Sequence, residues 1–219
     1  MNSFRKLKVG IIVDDAQQPY LINDLYQNSL DSNYYSIEAL IIQKKNKIKK
    51  NIFHKLINYT KRNGFNRLVE RILFEIITKV EEYLIKKDDF KKIFITHPIS
   101  KFNVQKIYVD ANISPSGLFY RYKKFDIEKI KKLHLDLLIR GGSGILKGEI
   151  LDICRLGIIS FHHGDNNLNR GGPPGFWEVF NQEPSTGFII QRLTEELDGG
   201  DVIFKGKIAT SFLYMMNKC

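Results

Sequence analysis

Two short apolar runs with a helix-length segment between them constrain this chain more than any other feature. Lys6–Val13 reads KLKVGIIV and stops at Asp14-Asp15, and Ser36–Gln43 contains EALIIQ. Apolar runs of this length, rich in β-branched residues and bounded by polar turn formers, are buried strands. Between them Pro19 opens a helix over Tyr20–Leu30, with Leu21 and Leu25 at helical spacing. Strand, helix, strand at this spacing is a βαβ unit, and the crossover makes its two strands parallel.

The pattern continues. Val104–Val109, Asp136–Arg140 and Gly157–Phe161 read as further strands, and Thr186–Leu193 and Val202–Ile208 as two more. Helices are expected over Phe65–Ile85, Asp126–Leu135 and Gly148–Leu156, one begins at Phe176-Trp177, and another starts within Ser211–Lys218. In Phe65–Ile85 the apolar residues Leu68, Ile72, Ile76, Val80 and Leu84 recur every four positions, which predicts a face packed on the core. Asp126 is placed to cap its helix, with Ile127, Ile130 and Leu133 facing inward. The fold class that follows is α/β: a single Rossmann-like domain with a mostly parallel twisted sheet and helices on both faces. In such sheets ligands bind at the carboxyl ends of the strands. The loops beginning at Gly141, His162 and Asp198 all fall there.

With 219 residues, 43% of them hydrophobic, the chain can build one sizeable core. No apolar run is long enough to span a bilayer, and Met1–Gly10 lacks the apolar stretch of a signal peptide, so a cytoplasmic protein with no membrane partner is expected. Cys154 and Cys219 form neither a disulfide framework nor a metal motif, and Cys154 reads as a small buried hydrophobe. The net charge of +10 is concentrated in Lys44–Arg62 and Lys86–Lys101. Residues 44–64 read as a basic, partly helical insertion ended by Gly64. A solvated face is the first reading of this charge and a nucleic-acid surface the second.

Two loops carry the chemistry. The first is Ser160-Phe161-His162-His163-Gly164-Asp165, continuing to Asn169-Arg170-Gly171-Gly172-Pro173-Pro174-Gly175; the second is Glu196-Leu197-Asp198-Gly199-Gly200-Asp201. An imidazole at His162 is well placed for acid–base work near pH 7, and a carboxylate at Asp198 can orient it and favour its charged form. A histidine bonded to its own loop, and an aspartate that only shapes a turn, are the alternatives. Strand geometry turns His163 away from His162. Arg170 can hold an anionic part of a substrate. Gly141-Gly142-Ser143-Gly144 matches neither G-x-G-x-x-G nor a Walker A loop, which leaves a backbone-lined slot for a flat ring.

Over Asp136–Lys207 these residues resemble the folate-dependent formyltransferase family, which includes glycinamide ribonucleotide transformylase, methionyl-tRNA formyltransferase and the sugar N-formyltransferases. The family reads Asn-x-His at a strand end, then an Arg-Gly turn, then Leu-Asp-x-Gly before the next strand. Here the histidine falls on His162, the Arg-Gly on Arg170-Gly171 and the aspartate on Asp198. The resemblance implies that an amine attacks the formyl carbon of 10-formyltetrahydrofolate. It places His162, Asp198 and Ser160 in the catalytic group, and Gly144, Ile145, Leu146 and Leu197 against the folate. Arg170, His163 and Asn166 fall on the side of a small-molecule amine substrate.

Three departures matter. The family's Asn falls on Ser160, whose hydroxyl has a shorter reach than an amide; Asn166, Asn167 and His163 are substitute donors. The first loop carries Asp14-Asp15, which repels a phosphate-bearing acceptor. The chain also stops soon after its last strand, which reads as a C-terminally truncated form of a catalytic domain covering 1–219. By elimination an amino sugar is the expected acceptor and nucleic acid the less favoured one. An inactive folate-binding module and a methionyl-tRNA formyltransferase relative are the alternatives.

Overall fold

A computed structural model describes residues 5–14, 17–44, 60–61, 64–86, 92, 94–163, 173, 175–196 and 199–217. The strands are β1 (Leu7–Val13), β2 (Gln17–Pro19), β3 (Tyr35–Lys44), β4 (Thr96–Pro98), β5 (Gln105–Ile113), β6 (Phe119–Tyr122), β7 (Leu137–Arg140), β8 (Ile145–Leu146), β9 (Ile158–His163), β10 (Ser185–Arg192) and β11 (Val202–Ala209). The helices are α1 (Tyr20–Asp31), α2 (Phe65–Lys86), α3 (Lys124–Lys131), α4 (Phe176–Phe180) and α5 (Tyr214–Asn217). One mixed sheet runs β11-β10-β9-β7-β1-β3-β5-β6-β8, and β2 and β4 form a separate antiparallel pair. Its middle is parallel, since β1 pairs in parallel with β3 and β7, β3 with β5, and β7 with β9. β10 and β11 extend it antiparallel. From β1 the chain builds to one side through β3 and β5, then returns to the other through β7 and β9. The sheet therefore has its topological switch point between β1 and β7, where ligand crevices of such sheets open.

β1 is buried on both faces. Val9, Ile11 and Val13 pack with Ile22 and Tyr26 of α1. Ile12 packs on the opposite face with Ile41 and with Ile127 and Ile130 of α3. This two-sided burial is why the strand reads as a continuous apolar run rather than an alternating one. Cys154 lies in the second cluster at 5% exposure, and burial pushes its thiol up to about 11, as the small-hydrophobe reading requires.

Several expected details differ. Leu21 is 66% exposed; α1 instead buries Ile22, Tyr26 and Ser29. Tyr26 decides this face, because its ring meets Phe102 at 5.1 Å and its hydroxyl accepts the Asn103 amide at 3.1 Å. α3 starts at Lys124 with Lys123 as its cap, so Asp126 lies inside the first turn and not at the cap. The Asp126 carboxylate accepts the Asp110 amide at 3.0 Å and the Lys129 ammonium at 2.8 Å. Gly148–Leu156 forms only a 3-10 turn over Glu149–Asp152, which still buries Ile150 and Leu151. The largest correction concerns α2. It forms as a helix of 22 residues, yet Ile72, Ile76, Val80 and Leu84 stand 44–53% exposed and only Ile85 is buried. Among the described residues α2 packs on α5 and α4, with Phe74 against Tyr214 of α5 at 5.3 Å and Phe176 of α4 at 5.7 Å, because α1 and α3 already cover the two faces of the sheet. The basic insertion lies almost wholly outside the described residues. No helix among those described is long and apolar enough to cross a membrane.

Two outcomes follow in chemical denaturation. Ile41→Ala should cost about 2–5 kcal/mol, whereas Ile76→Ala should stay within about 1 kcal/mol of the parent. Asp136 anchors the start of β7 by accepting the Lys8 amide at 2.9 Å, with Arg5 and Arg155 beside it. That amide first, then the two guanidiniums, hold its carboxyl below the usual range. Its stabilising effect is complete above the unfolded-chain pKa of about 4 and fades as pH falls through the lower folded value. Asp136→Asn should therefore flatten the acid limb of the stability curve while leaving its shape above pH 5 unchanged.

Candidate functional site

The site forms where β7 and β9 end. Arg140, Ser160 and Gln191 occupy one rung across β7, β9 and β10, and His162 follows two residues later on β9, on the same face. A cavity of about 170 Å³ opens over that face. Its lining includes Arg140, Ser160, His162, Gly144, Ile145 and Leu146. Arg192, Thr194, Glu196 and Gly200 close the far side. The imidazole and the Gly144–Leu146 segment, read separately in the sequence, thus meet around one cavity. His162 is half-buried and sits within β9, paired with Ile189, rather than in the loop after it.

The loop after β7 is held by a polar network. Asp14 Oδ2 accepts the Ser143 amide at 2.6 Å, and Asp14 Oδ1 accepts Gln43 Nε2, also at 2.6 Å. Gln43 Nε2 reaches the Ser143 carbonyl at 3.3 Å, and Gln43 Oε1 accepts the Tyr122 hydroxyl at 2.7 Å. Arg140 Nη2 donates to the carbonyls of Ser143 and Gly144. Burial lowers the Arg140 pKa and raises that of Tyr122, while Asp14 supplies nearby negative charge. Gly144, at φ +82°, lies over the Tyr120 ring, and a Cβ there would stand 2.2 Å from it. Only glycine fits this backbone and this approach. On the opposite wall, Gly200 lies so close that an added Cβ would sit 1.9 Å from the Arg192 carbonyl oxygen.

Asp198, Leu197, Arg170, Asn166 and Asn167 lie outside the described residues, as does the His163 side chain. Glu196 and Gly200 are among the described residues that line the cavity. The Ser160 hydroxyl donates to the Phe161 carbonyl at 3.3 Å. Sequence reading missed Arg140 and Gln191. Their signals were a cation closing the apolar strand LLIR and a polar residue within FIIQRL. Among the described residues no cluster of three or more His, Cys, Asp or Glu could hold a metal ion.

No family model matches the chain. Methionyl-tRNA formyltransferase of Clostridioides difficile (strain 630) is 39% identical over 106 residues, which is 48% of this chain and 34% of that protein. The enzyme of the same name from Fusobacterium nucleatum is 31% identical over 140 residues, 62% of this chain and 41% of that protein. The chain thus spans about a third to two-fifths of the length of these relatives. Among solved structures, phosphoribosylglycinamide formyltransferase from Campylobacter jejuni superposes with a TM-score of 0.57 at 15% identity, covering 97% of this chain and 89% of that one. Formyltetrahydrofolate deformylase from Pseudomonas syringae pv. tomato gives 0.54 at 12% identity, covering 99% and 57%. Fold and site define an α/β domain with an imidazole at the carboxyl end of a mostly parallel sheet. Over the matched segments the chain is similar in sequence to methionyl-tRNA formyltransferases, and it shares the fold of the formyltransferase and deformylase structures.

The Asp14 contacts are open to direct test. Asp14→Ala removes the acceptor of the Ser143 amide and of Gln43 and takes negative charge away from Arg140. A stability loss of about 2–3 kcal/mol is expected from hydrogen bonds to a charged group, read as a lower urea midpoint at constant slope.

Proposed function

We propose that this chain is the formyl-transfer unit of a folate-dependent formyltransferase, moving a formyl group from 10-formyltetrahydrofolate to an amine. The observation that carries the reading is the convergence of His162 and Gly144-Ile145-Leu146 on one cavity at the strand ends. The cavity suits a flat ring. Ile145 and Leu146 give it an apolar wall, and the glycine loop lets backbone approach closely. When bound, the folate would supply the formyl carbon. His162 would polarise the formyl oxygen and move protons between the attacking amine and the departing nitrogen. Asp198 would orient His162 and take part in the proton transfer from the amine.

The relatives favour the amine of methionyl-tRNA as acceptor, since both curated proteins above carry that name. The net charge of +10 is compatible with a polyanionic partner. Repulsion by Asp14 is a weak argument against a phosphate-bearing acceptor, because its carboxylate is engaged by Ser143 and Gln43 and faces Arg140. An amino sugar rests on elimination alone, and no described residue selects it.

Incubation with 10-formyltetrahydrofolate and, separately, methionyl-tRNA or a panel of small amines including amino sugars should give one formylated product by mass. No formylated product and no folate binding would sink the proposal. Folate binding without product would leave a binding module. His162→Ala and Asp198→Asn should each lower kcat/KM by about 10²–10⁴, the usual weight of positioned acid–base groups, with unchanged melting temperatures.

A further inference from the structure

One rung of the sheet carries two buried polar side chains with hydrogen-bonding groups left over. Arg140 is 8% exposed and Gln191 5%, and they flank Ser160 in register on β7 and β10. Arg140 uses Nη2 on the Ser143 and Gly144 carbonyls, but its Nε and Nη1 have no hydrogen-bond partner, nor does Gln191 Oε1. Arg140 and Gln191, like Ser160, belong to the lining of the cavity that holds His162. Buried polar atoms are nearly always paired, and leaving one unpaired costs about 1–3 kcal/mol, more for a charged group. Such atoms on residues that border a cavity mark where a ligand, or water in its absence, can complete the set.

The two residues are complementary. Arg140 offers only donors, and Gln191 Oε1 offers an acceptor. Strands lie about 4.8 Å apart, so their backbones stand about 10 Å apart across Ser160. The serine side chain between them is short, and its hydroxyl is turned to its own strand's Phe161 carbonyl. We infer that Arg140 and Gln191 clamp the two reacting groups, Arg140 donating to the formyl oxygen and Gln191 Oε1 accepting an N–H of the attacking amine. The inference rests on the formyl-transfer reading and deepens it. It also accounts for Ser160, because the donor that an amide would supply from that position is provided one strand over by a guanidinium. A charged donor is about twice as strong as a neutral one. As the amine nitrogen bonds to the formyl carbon, Arg140 holds the oxygen that receives the carbonyl electron pair. The pair returns as the carbon–nitrogen bond to the donor breaks, and the amine proton passes by way of His162 to the departing nitrogen. Arg140 and Gln191 hold and aim throughout and exchange no proton.

The test compares affinities for 10-formyltetrahydrofolate and for tetrahydrofolate without the formyl group, by calorimetry on the full chain. Wild type should prefer the formylated form, and Arg140→Met should shrink that preference by about 10-fold or more, as expected for a hydrogen bond to a charged donor. Single-turnover transfer should fall by about 10²–10³, the effect of losing one oxyanion donor. Arg140→Met also leaves the Ser143 and Gly144 carbonyls without their donor, so its melting temperature should fall, and the affinities are compared well below that transition. Gln191→Leu should slow transfer while keeping the formyl preference. Wild type that binds neither folate overturns the formyl-transfer reading and the clamp with it. A preference unchanged in Arg140→Met overturns the clamp alone and leaves formyl transfer standing, with water as the partner of these groups.

Discussion

The carboxylate of Asp14 is the contact on which the site depends. It sits just past β1, the first strand of the sheet, and accepts from Gln43 near the end of β3 and from Ser143 in the loop after β7. It thereby ties together the ends of three adjacent parallel strands at the switch point of the sheet. Backbone amides at a strand-to-loop exit need acceptors when the ladder stops. Here one short acidic side chain satisfies such an amide and gives Arg140 nearby negative charge at the same time. The Gly141–Gly144 loop is thereby held against Tyr120, and Ile145 and Leu146 follow it into β8 and the cavity wall.

The second constraint is the polarity of the sheet. Because β7 and β9 run parallel, their carboxyl ends lie side by side, and residues in register share a face. The face that buries Leu138 and Ile158 in the core becomes, one rung later, the Arg140–Ser160 floor of the cavity, and then His162. Core and site are successive rungs of the same strands. A rigid site on strands positions side chains better than one on loops. The opposite wall, with Arg192, Thr194, Glu196 and Gly200, comes from the end of β10 and the residues before β11, where Gly200 meets the Arg192 carbonyl. Its closeness to His162 comes from the antiparallel return of the chain, a long-range arrangement.

Much of the frame was legible along the chain. β1, α1 and β3 follow from two apolar runs, a proline and a helical segment, since period and punctuation are local properties. The two residues of β8 and the four of β6 were not legible, because strands that short carry no period. The stripe of α2 shows a further limit. Periodicity identifies an apolar face, but whether that face is covered depends on how many helices the sheet has room for, and α1 and α3 fill both sides. Within α1, Leu21 and Ile22 are equally apolar, and the ring of Phe102, some 80 residues away, selects the face that contains Ile22.

By itself the sequence determined the α/β class, the βαβ start, and a histidine placed at the end of a strand, because each depends on residues within one element or its flanking turn. It also carried the resemblance that named His162, Asp198 and the Ile145-Leu146 segment. Only the tertiary structure decided which of these residues share a cavity, that Asp14 restrains the loop after β7, and that Arg140 and Gln191 flank Ser160. The reason is register. Neighbours on a rung come from positions 20 and 31 residues apart in the chain, and nothing local to Arg140 or Gln191 records that Ser160 lies between them.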